Sequence, residues 1–265
     1  MKLYSLLLFF IVCSCATPRL DINKVGDAIG GSTFYEQTNT LQWKQRDSLA
    51  VEKILAGNLP AFMLKLLPVN ISIYDSINQQ TIKATYYVTP DYLSVGNSND
   101  WARIPLTPIA AQVIADSLHC FLPTRKMVDD IYKAAVVKLA PVPMYIYRDS
   151  TVTMWQHHLI IEGQRNGRKG LIAGIKKDVV ISDLLTRSSK TNRVAIYGWH
   201  KLDGKAIQPL YTGHVNWYAD YSHGIRLVFQ KIKVNGKWMD YKVVFSDVML
   251  RKLLSDEKFA DVVRY

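Results

Sequence analysis

The order of hydrophobic patterns along the chain limits the folds available to it. Apolar residues at helical spacing dominate the first half, whereas β-branched and aromatic residues dominate the second. The patterns predict helices over residues 34–57, 108–118, 125–135, 152–164 and 247–254 (the last capped by Ser246), and strands over residues 70–74, 81–89, 92–95, 171–174, 179–181, 193–197, 224–229 and 237–244. They favour an α+β fold, with N-terminal helices packed on a mainly antiparallel β-sheet formed largely by the C-terminal half.

Three short signals fix element boundaries more closely. Thr107 followed by Pro108 is typical of a helix start, because threonine caps free amides and proline suits the first helical turn. Thr124 is a second capping residue. Asn235-Gly236, between Val234 and Trp238, is typical of a tight hairpin turn.

The first fifteen residues resemble an export signal. Lys2 precedes an apolar run, Leu6–Val12, that is too short to span a bilayer. The sequence Val12-Cys13-Ser14-Cys15 resembles the lipobox of bacterial lipoproteins, which implies a lipid on Cys15. The expected organisation is a signal peptide over residues 1–14, a lipidated tether over residues 15–33 and a single globular α+β domain over residues 34–265. An uncleaved anchor, or cleavage elsewhere without a lipid, is the alternative.

The charge and hydropathy of the chain limit the classes of partner that we expect it to bind. The net charge is +11, but the basic residues are dispersed and no block of five or six occurs, so we expect no nucleic acid partner. No later segment contains 18 consecutive apolar residues, so the expected membrane contact is through the lipid alone. Peptidoglycan or another anionic envelope polymer is a candidate partner. A solvated basic surface without any partner is the alternative.

Cysteine usage leaves one thiol in the mature chain. Cys13 would leave with the signal peptide and Cys15 would carry the lipid, so Cys120 would have no disulfide partner. Such a residue is either buried and inert or a nucleophile.

Histidines and aromatic residues concentrate between Lys176 and Arg226. Three of the six histidines lie in the stretches Tyr197–His200, Gly213–Tyr218 and Asp220–Arg226. Glycines close to these histidines favour tight turns or close backbone approach. The concentration predicts a shared functional cleft, and a packed aromatic core is the alternative.

In a first hypothesis, Cys120 is a nucleophile and a histidine is its base. The order of a cysteine, a helix and a later histidine, together with His214-Val215-Asn216-Trp217-Tyr218, resembles papain-like cell-wall amidases and peptidases. In those enzymes a His-Val-x-x-Tyr stretch often opens a strand. The resemblance implies attack by a thiolate that His214 activates. The chain departs from the pattern by placing Phe121-Leu122-Pro123 between the cysteine and the helix.

In a second hypothesis, the site faces peptidoglycan but lacks a thiol. Ser222-His223-Gly224-Ile225-Arg226 resembles the Ser-His-Gly-Cys-Ile/Val-Arg signature of L,D-transpeptidases, with His200 as the candidate upstream histidine. The nucleophilic cysteine of that signature is absent, since Ile225 follows Gly224 directly. The resemblance therefore implies a site without transfer chemistry.

In a third hypothesis, His200, His214 and His223 with Asp220 bind a metal such as zinc, although their spacing matches no dense metal motif. Our leading expectation includes no metal and no cofactor. The stretches Leu122–Asp129 and Asp220–Gly224 also resemble secreted bacterial proteins of uncharacterised activity.

Together these features predict a membrane-anchored envelope lipoprotein that hydrolyses peptidoglycan or a related glycan-peptide polymer. The histidines and Asp220 would transfer protons, and Cys120 would be the nucleophile. Flat aromatic faces for sugar rings would come from Trp199, Trp217, Tyr218 and Tyr221. Lys177 and Arg226 would bind a substrate carboxylate, and His157-His158 would lie at the surface. A non-catalytic glycan- or protein-binding lipoprotein is the alternative.

Overall fold

The computed structural model describes residues 17–22, 28–187, 189–258 and 264–265. Cys15 and the predicted signal peptide lie outside these residues. Within the predicted tether, Arg19 pairs with Lys65, and Leu20 is buried in the main core. Folded structure therefore begins before residue 34. No helix in the described ranges has both the length and the apolar character needed to cross a membrane.

Side-chain caps explain most helix starts. Thr107, Thr124 and Ser150 each accept a hydrogen bond from a backbone amide in the first turn. The predicted helix over residues 34–57 is two helices, because Gln42 and Gln45 form a capping box that starts the second one. The helices are α1 Gly31–Thr38, α2 Trp43–Leu55, α3 Pro108–Ser117, α4 Arg125–Ala134, α5 Thr151–Arg165, α6 Leu184–Arg187, α7 Tyr241–Ser246 and α8 Arg251–Leu254, with a 3-10 turn at Ala61–Leu64.

The strands of the described residues form two main sheets and two short pairs. They are β1 Leu67–Asp75, β2 Gln80–Val88, β3 Ser94–Gly96, β4 Trp101–Arg103, β5 Cys120–Phe121, β6 Val137–Lys138, β7 Ile172–Ala173, β8 Lys177–Val180, β9 Ala195–His200, β10 Ala206–Tyr211, β11 His223–Gly224, β12 Val228–Phe229, β13 Lys231–Val234 and β14 Lys237–Asp240. The larger sheet has the order β14-β13-β2-β12-β5, with β1 paired to β2, and the smaller has the order β10-β9-β8-β11. Pairing is antiparallel except between β8 and β11 and between β6 and β7. The mainly antiparallel α+β fold is confirmed.

The hairpin at Asn235-Gly236 is confirmed, with φ values of 45° and 86° that suit its tight turn. The predicted strand over residues 237–244 is too long. It ends at Asp240, whose side chain accepts a hydrogen bond from the Lys242 amide and caps α7. Ser246 is the last residue of α7 and not the cap of a closing helix.

The core positions the histidine-rich segments. Alternate residues of β2, including Ala84, Tyr86 and Val88, are buried in the main apolar cluster, which extends from Leu20 to Leu254. The predicted strand 224–229 divides into β11 in the smaller sheet and β12 in the larger. This crossing segment places His223 beside β8.

Candidate functional site

The parallel pairing of β8 and β11 brings Lys177 and His223 together. The two residues are register partners, and the Lys177 amide donates a 2.7 Å hydrogen bond to the Ser222 carbonyl. Because partner positions on adjacent strands project from the same face of a sheet, the two side chains are neighbours. Trp199 on β9 lies beside them, with its ring centroid 5.1 Å from Lys177 Nζ.

The segment after β10 brings His214 and Tyr218 against His223. The ring centroids are 5.0 Å apart for His214 and Tyr218, 5.8 Å for Tyr218 and His223, and 6.1 Å for His214 and His223. Residues 214–218 form a bend and a turn, with an isolated bridge between Arg193 and Val215, and do not open a strand. That part of the papain-like resemblance is therefore absent.

Asp220 connects these residues through a saturated set of hydrogen bonds. Its Oδ1 accepts from the Ser222 amide at 2.9 Å and from Ser222 Oγ at 2.5 Å. Its Oδ2 accepts from Arg148 Nη2 at 2.9 Å and from Tyr218 Oη at 3.1 Å. Burial alone would raise the pKa of Asp220, but His223, Ser222 and Arg148 hold it below the usual carboxyl range. The carboxylate is ionised at neutral pH. We call His214, Tyr218, Asp220 and His223 the histidine cluster.

The two imidazoles of the histidine cluster are neutral at pH 7. Burial lowers the pKa of His223 to about 4, against an opposing effect of Asp220. Burial also lowers the pKa of His214, which remains partly exposed. His223 is 1% exposed, and neither of its ring nitrogens has a hydrogen-bond partner among the described residues. His214 can therefore accept a proton from a group that reaches the surface.

An aromatic cleft of about 430 Å³ adjoins the histidine cluster. Trp43 is 37% exposed and Trp217 is 45% exposed, and both line the cleft. Tyr218 lines it too and also contacts both histidines of the cluster. Tyr218 is therefore the residue that the aromatic cleft and the histidine cluster share.

His200 lies in a different part of the structure from the histidine cluster. Its Nε2 lies 3.0 Å from Asp129 Oδ1, and its ring stacks on Tyr132 with centroids 4.5 Å apart. These residues line a second cleft of about 450 Å³. No described hydrogen bond or ring contact joins His200 to His214 or His223. The expectation of three histidines in one cleft is therefore wrong for His200, and the metal hypothesis loses a ligand.

Cys120 lies in the main core on β5 and pairs with Phe229. Its Sγ lies 3.3 Å from the Leu118 carbonyl, and no imidazole of the described residues bonds to it. Burial raises the pKa of the thiol well above its usual value. A buried and protonated thiol cannot attack a polymer, so the structure does not support Cys120 as the nucleophile.

Arg226 and Tyr221 are also buried. Arg226 is fully buried and donates to the Thr89 carbonyl at 2.9 Å and to the Ile172 carbonyl at 2.7 Å. It pairs neither with a surface carboxylate nor with Asp220. The Tyr221 ring is buried, and its Oη accepts from the Met144 amide at 2.8 Å. Neither residue is available to a sugar or a carboxylate, because both stabilise the backbone.

Several residues near the site lie outside the three histidine-rich stretches of the sequence. Arg148 contacts Asp220 across 72 residues. Lys176 Nζ donates to the Tyr221 carbonyl and lies 3.2 Å from His157 Nδ1. Burial lowers the pKa of Lys176 to about 7. His157 and His158 are buried, so their predicted surface position is wrong: α5 turns both inward, towards Lys176 and Arg103.

No three His, Cys, Asp or Glu side chains of the described ranges are arranged to hold a metal ion. Tyr218 and Trp217 remain on the aromatic cleft, and Trp199 packs on Lys177 beside His223. The site thus consists of neutral imidazoles, one ionised carboxylate, two basic side chains and exposed indole rings.

Compared with known proteins, the chain matches no family model, no curated protein and no solved structure.

Proposed function

We propose that the chain is a lipid-anchored lipoprotein of the bacterial cell envelope that hydrolyses peptidoglycan or a related glycan-peptide polymer. The observation that carries this proposal is that Tyr218 belongs both to the lining of the aromatic cleft and to the histidine cluster. Tyr218 is a lining residue of the aromatic cleft, and its ring contacts both His214 and His223. In this proposal a polymer bound along the cleft extends past Tyr218 and brings one of its bonds to His214, which is partly exposed.

In this proposal His214 is the general base and water is the nucleophile. The partly exposed imidazole takes a proton from water while the water oxygen bonds to the scissile carbonyl carbon. The same proton then goes to the leaving amine as the carbon–nitrogen bond breaks. Asp220 is a positioning residue, because its hydrogen bond from Tyr218 Oη fixes the ring that packs on His214.

Polymer binding is assigned to the indole rings of the cleft. Trp43 and Trp217 present large apolar faces to solvent, and such faces suit the apolar faces of sugar rings. Their exposure also favours the second candidate function, a non-catalytic glycan-binding lipoprotein. Ser222 and Cys120 are buried, so neither is accessible for covalent catalysis, and the proposal therefore assigns water as the nucleophile.

The test measures binding and cleavage separately on purified sacculi. Mass spectrometry of released fragments reports cleavage, and co-sedimentation reports binding. We expect His214→Ala to slow release by about 10²- to 10⁴-fold with binding unchanged, and Trp217→Ala to weaken binding. Matched controls are His119→Ala and Trp238→Ala, which change exposed residues outside the cleft. Binding without release by the unmodified protein would support the second function, and absence of both would refute the proposal.

A further inference from the structure

The Lys177 side chain, beside His223, carries a positive charge without a hydrogen-bonded acid among the described residues. Lys177 is only 7% exposed, and its Nζ forms no hydrogen bond or close ion pair with a described residue, although the charge of Asp220 acts on it from a longer range. Nζ lies 5.1 Å from the centroid of the Trp199 ring, whose Nε1 is buried without a hydrogen-bond partner among the described residues. Buried cations in proteins are normally paired or hydrogen-bonded. Lys177 therefore differs from an ordinary surface lysine.

Asp220 is the acid closest to Lys177 in the site, but it has no acceptor position left. A carboxylate offers about four lone-pair positions. Ser222 fills two of them, and Arg148 and Tyr218 fill the others. The hydrogen-bonding capacity of Asp220 is thus used within the 148 and 218–222 segments, so its charge acts on Lys177 without a direct hydrogen bond.

His223 adds a second unused polar group at the same point. It is the register partner of Lys177 across β8 and β11, and both of its ring nitrogens lack a hydrogen-bond partner among the described residues. A neutral imidazole presents one N–H donor. An ammonium group and an N–H donor side by side match the two oxygens of a carboxylate.

We infer that this subsite, Lys177 with His223 and the edge of Trp199, binds a carboxylate of the substrate. The inference rests on the proposed function and narrows it to polymer segments that carry a free carboxylate, such as an acidic peptide stem. In this inference the carboxylate approaches past His214, which is partly exposed and whose ring centroid lies 6.1 Å from that of His223. The carboxylate would anchor the peptide part while the aromatic cleft binds the glycan part.

Binding calorimetry with two soluble probes tests the inference without using cleavage. The probes are a disaccharide-peptide fragment of peptidoglycan with free carboxylates and the same fragment with its carboxylates amidated. The full-length protein should bind the free acid at least about tenfold more tightly, as a charge-assisted hydrogen bond implies. Lys177→Met should abolish this preference, whereas Lys177→Arg should retain most of it.

Lys205→Met, in the exposed turn between β9 and β10, is the matched control and should keep the full preference. Circular dichroism establishes that each variant is folded, and Lys177→Arg keeps the test decisive if Lys177→Met unfolds. Equal binding of both probes by the unmodified protein would overturn the inference, and cleavage of sacculi in the same preparation would leave the proposed function standing. Loss of the preference in Lys205→Met would also overturn it.

Discussion

Asp220→Asn should lower the free energy of unfolding by an amount that follows from the hydrogen bonds that the Asp220 carboxylate accepts. The asparagine keeps one oxygen for the two Ser222 bonds and turns an NH₂ group towards Tyr218 Oη and Arg148. Hydrogen bonds to charged groups contribute about 1.5–3 kcal/mol each. The Arg148 contact counts for less, about 0–1 kcal/mol, because that side chain is 43% exposed. We therefore expect a loss of roughly 2–4 kcal/mol in the free energy of unfolding at pH 7.

The assay is urea unfolding of the two proteins at several pH values, with exposed Asp203→Asn as the control. The control should lie within about 0.5 kcal/mol of the unmodified protein. The pKa of Asp220 is lowered in the folded state, so its stabilisation is present above the unfolded pKa, about 3.9, and disappears as the pH falls through the lower folded value. The difference between the proteins should accordingly shrink below about pH 4. A difference under about 0.5 kcal/mol at pH 7, or one that does not change on acidification, would refute this account.

The remaining predictions concern residues whose positions decide between hypotheses. Cys120 should resist thiol reagents in the folded protein and react after denaturation, and Cys120→Ser should leave cleavage of sacculi unchanged; rapid labelling of the folded chain would contradict its burial. Arg226→Met should lower the free energy of unfolding by about 2–4 kcal/mol, measured in urea, because it leaves the Thr89 and Ile172 carbonyls unpaired. Cys15→Ala should move the protein from the membrane to the soluble fraction, and a mature N-terminus without fatty acid would contradict the lipid anchor.

Local signals in the sequence predicted the elements that local interactions determine. Thr107 and Thr124 cap their helices and Asn235-Gly236 makes its turn because each acts on residues a few positions away. The break in the predicted helix 34–57 and the end of the strand at Asp240 depend on side-chain caps that apolar periodicity does not register.

The candidate site was predictable only where its residues are close in sequence. His214, Tyr218, Asp220 and His223 lie within ten residues and meet in one cluster. His200 and Cys120 fit the same composition, but tertiary packing takes the first to Asp129 and the second into the core. Arg148 reaches Asp220 because the loop before α5 lies against residues 220–221, where the Tyr221 amide donates to the Arg148 carbonyl, and nothing in the local sequence of either residue indicates that contact.

The consecutive lysines at the start of β8 have different surroundings. Lys176 directly precedes the strand and Lys177 is its first residue, and the two side chains have different partners. Lys176 satisfies its ammonium group inside the protein, at the Tyr221 carbonyl and His157. Lys177 forms no such hydrogen bond with a described residue, and its register partner is His223, whose two buried ring nitrogens have no partner within the described chain. Each unpaired buried group lowers stability by about 1–3 kcal/mol, and apolar residues of similar shape would avoid that cost. Buried ring nitrogens without a partner are expected where a ligand completes their hydrogen bonds, and this expectation underlies the carboxylate subsite that we propose.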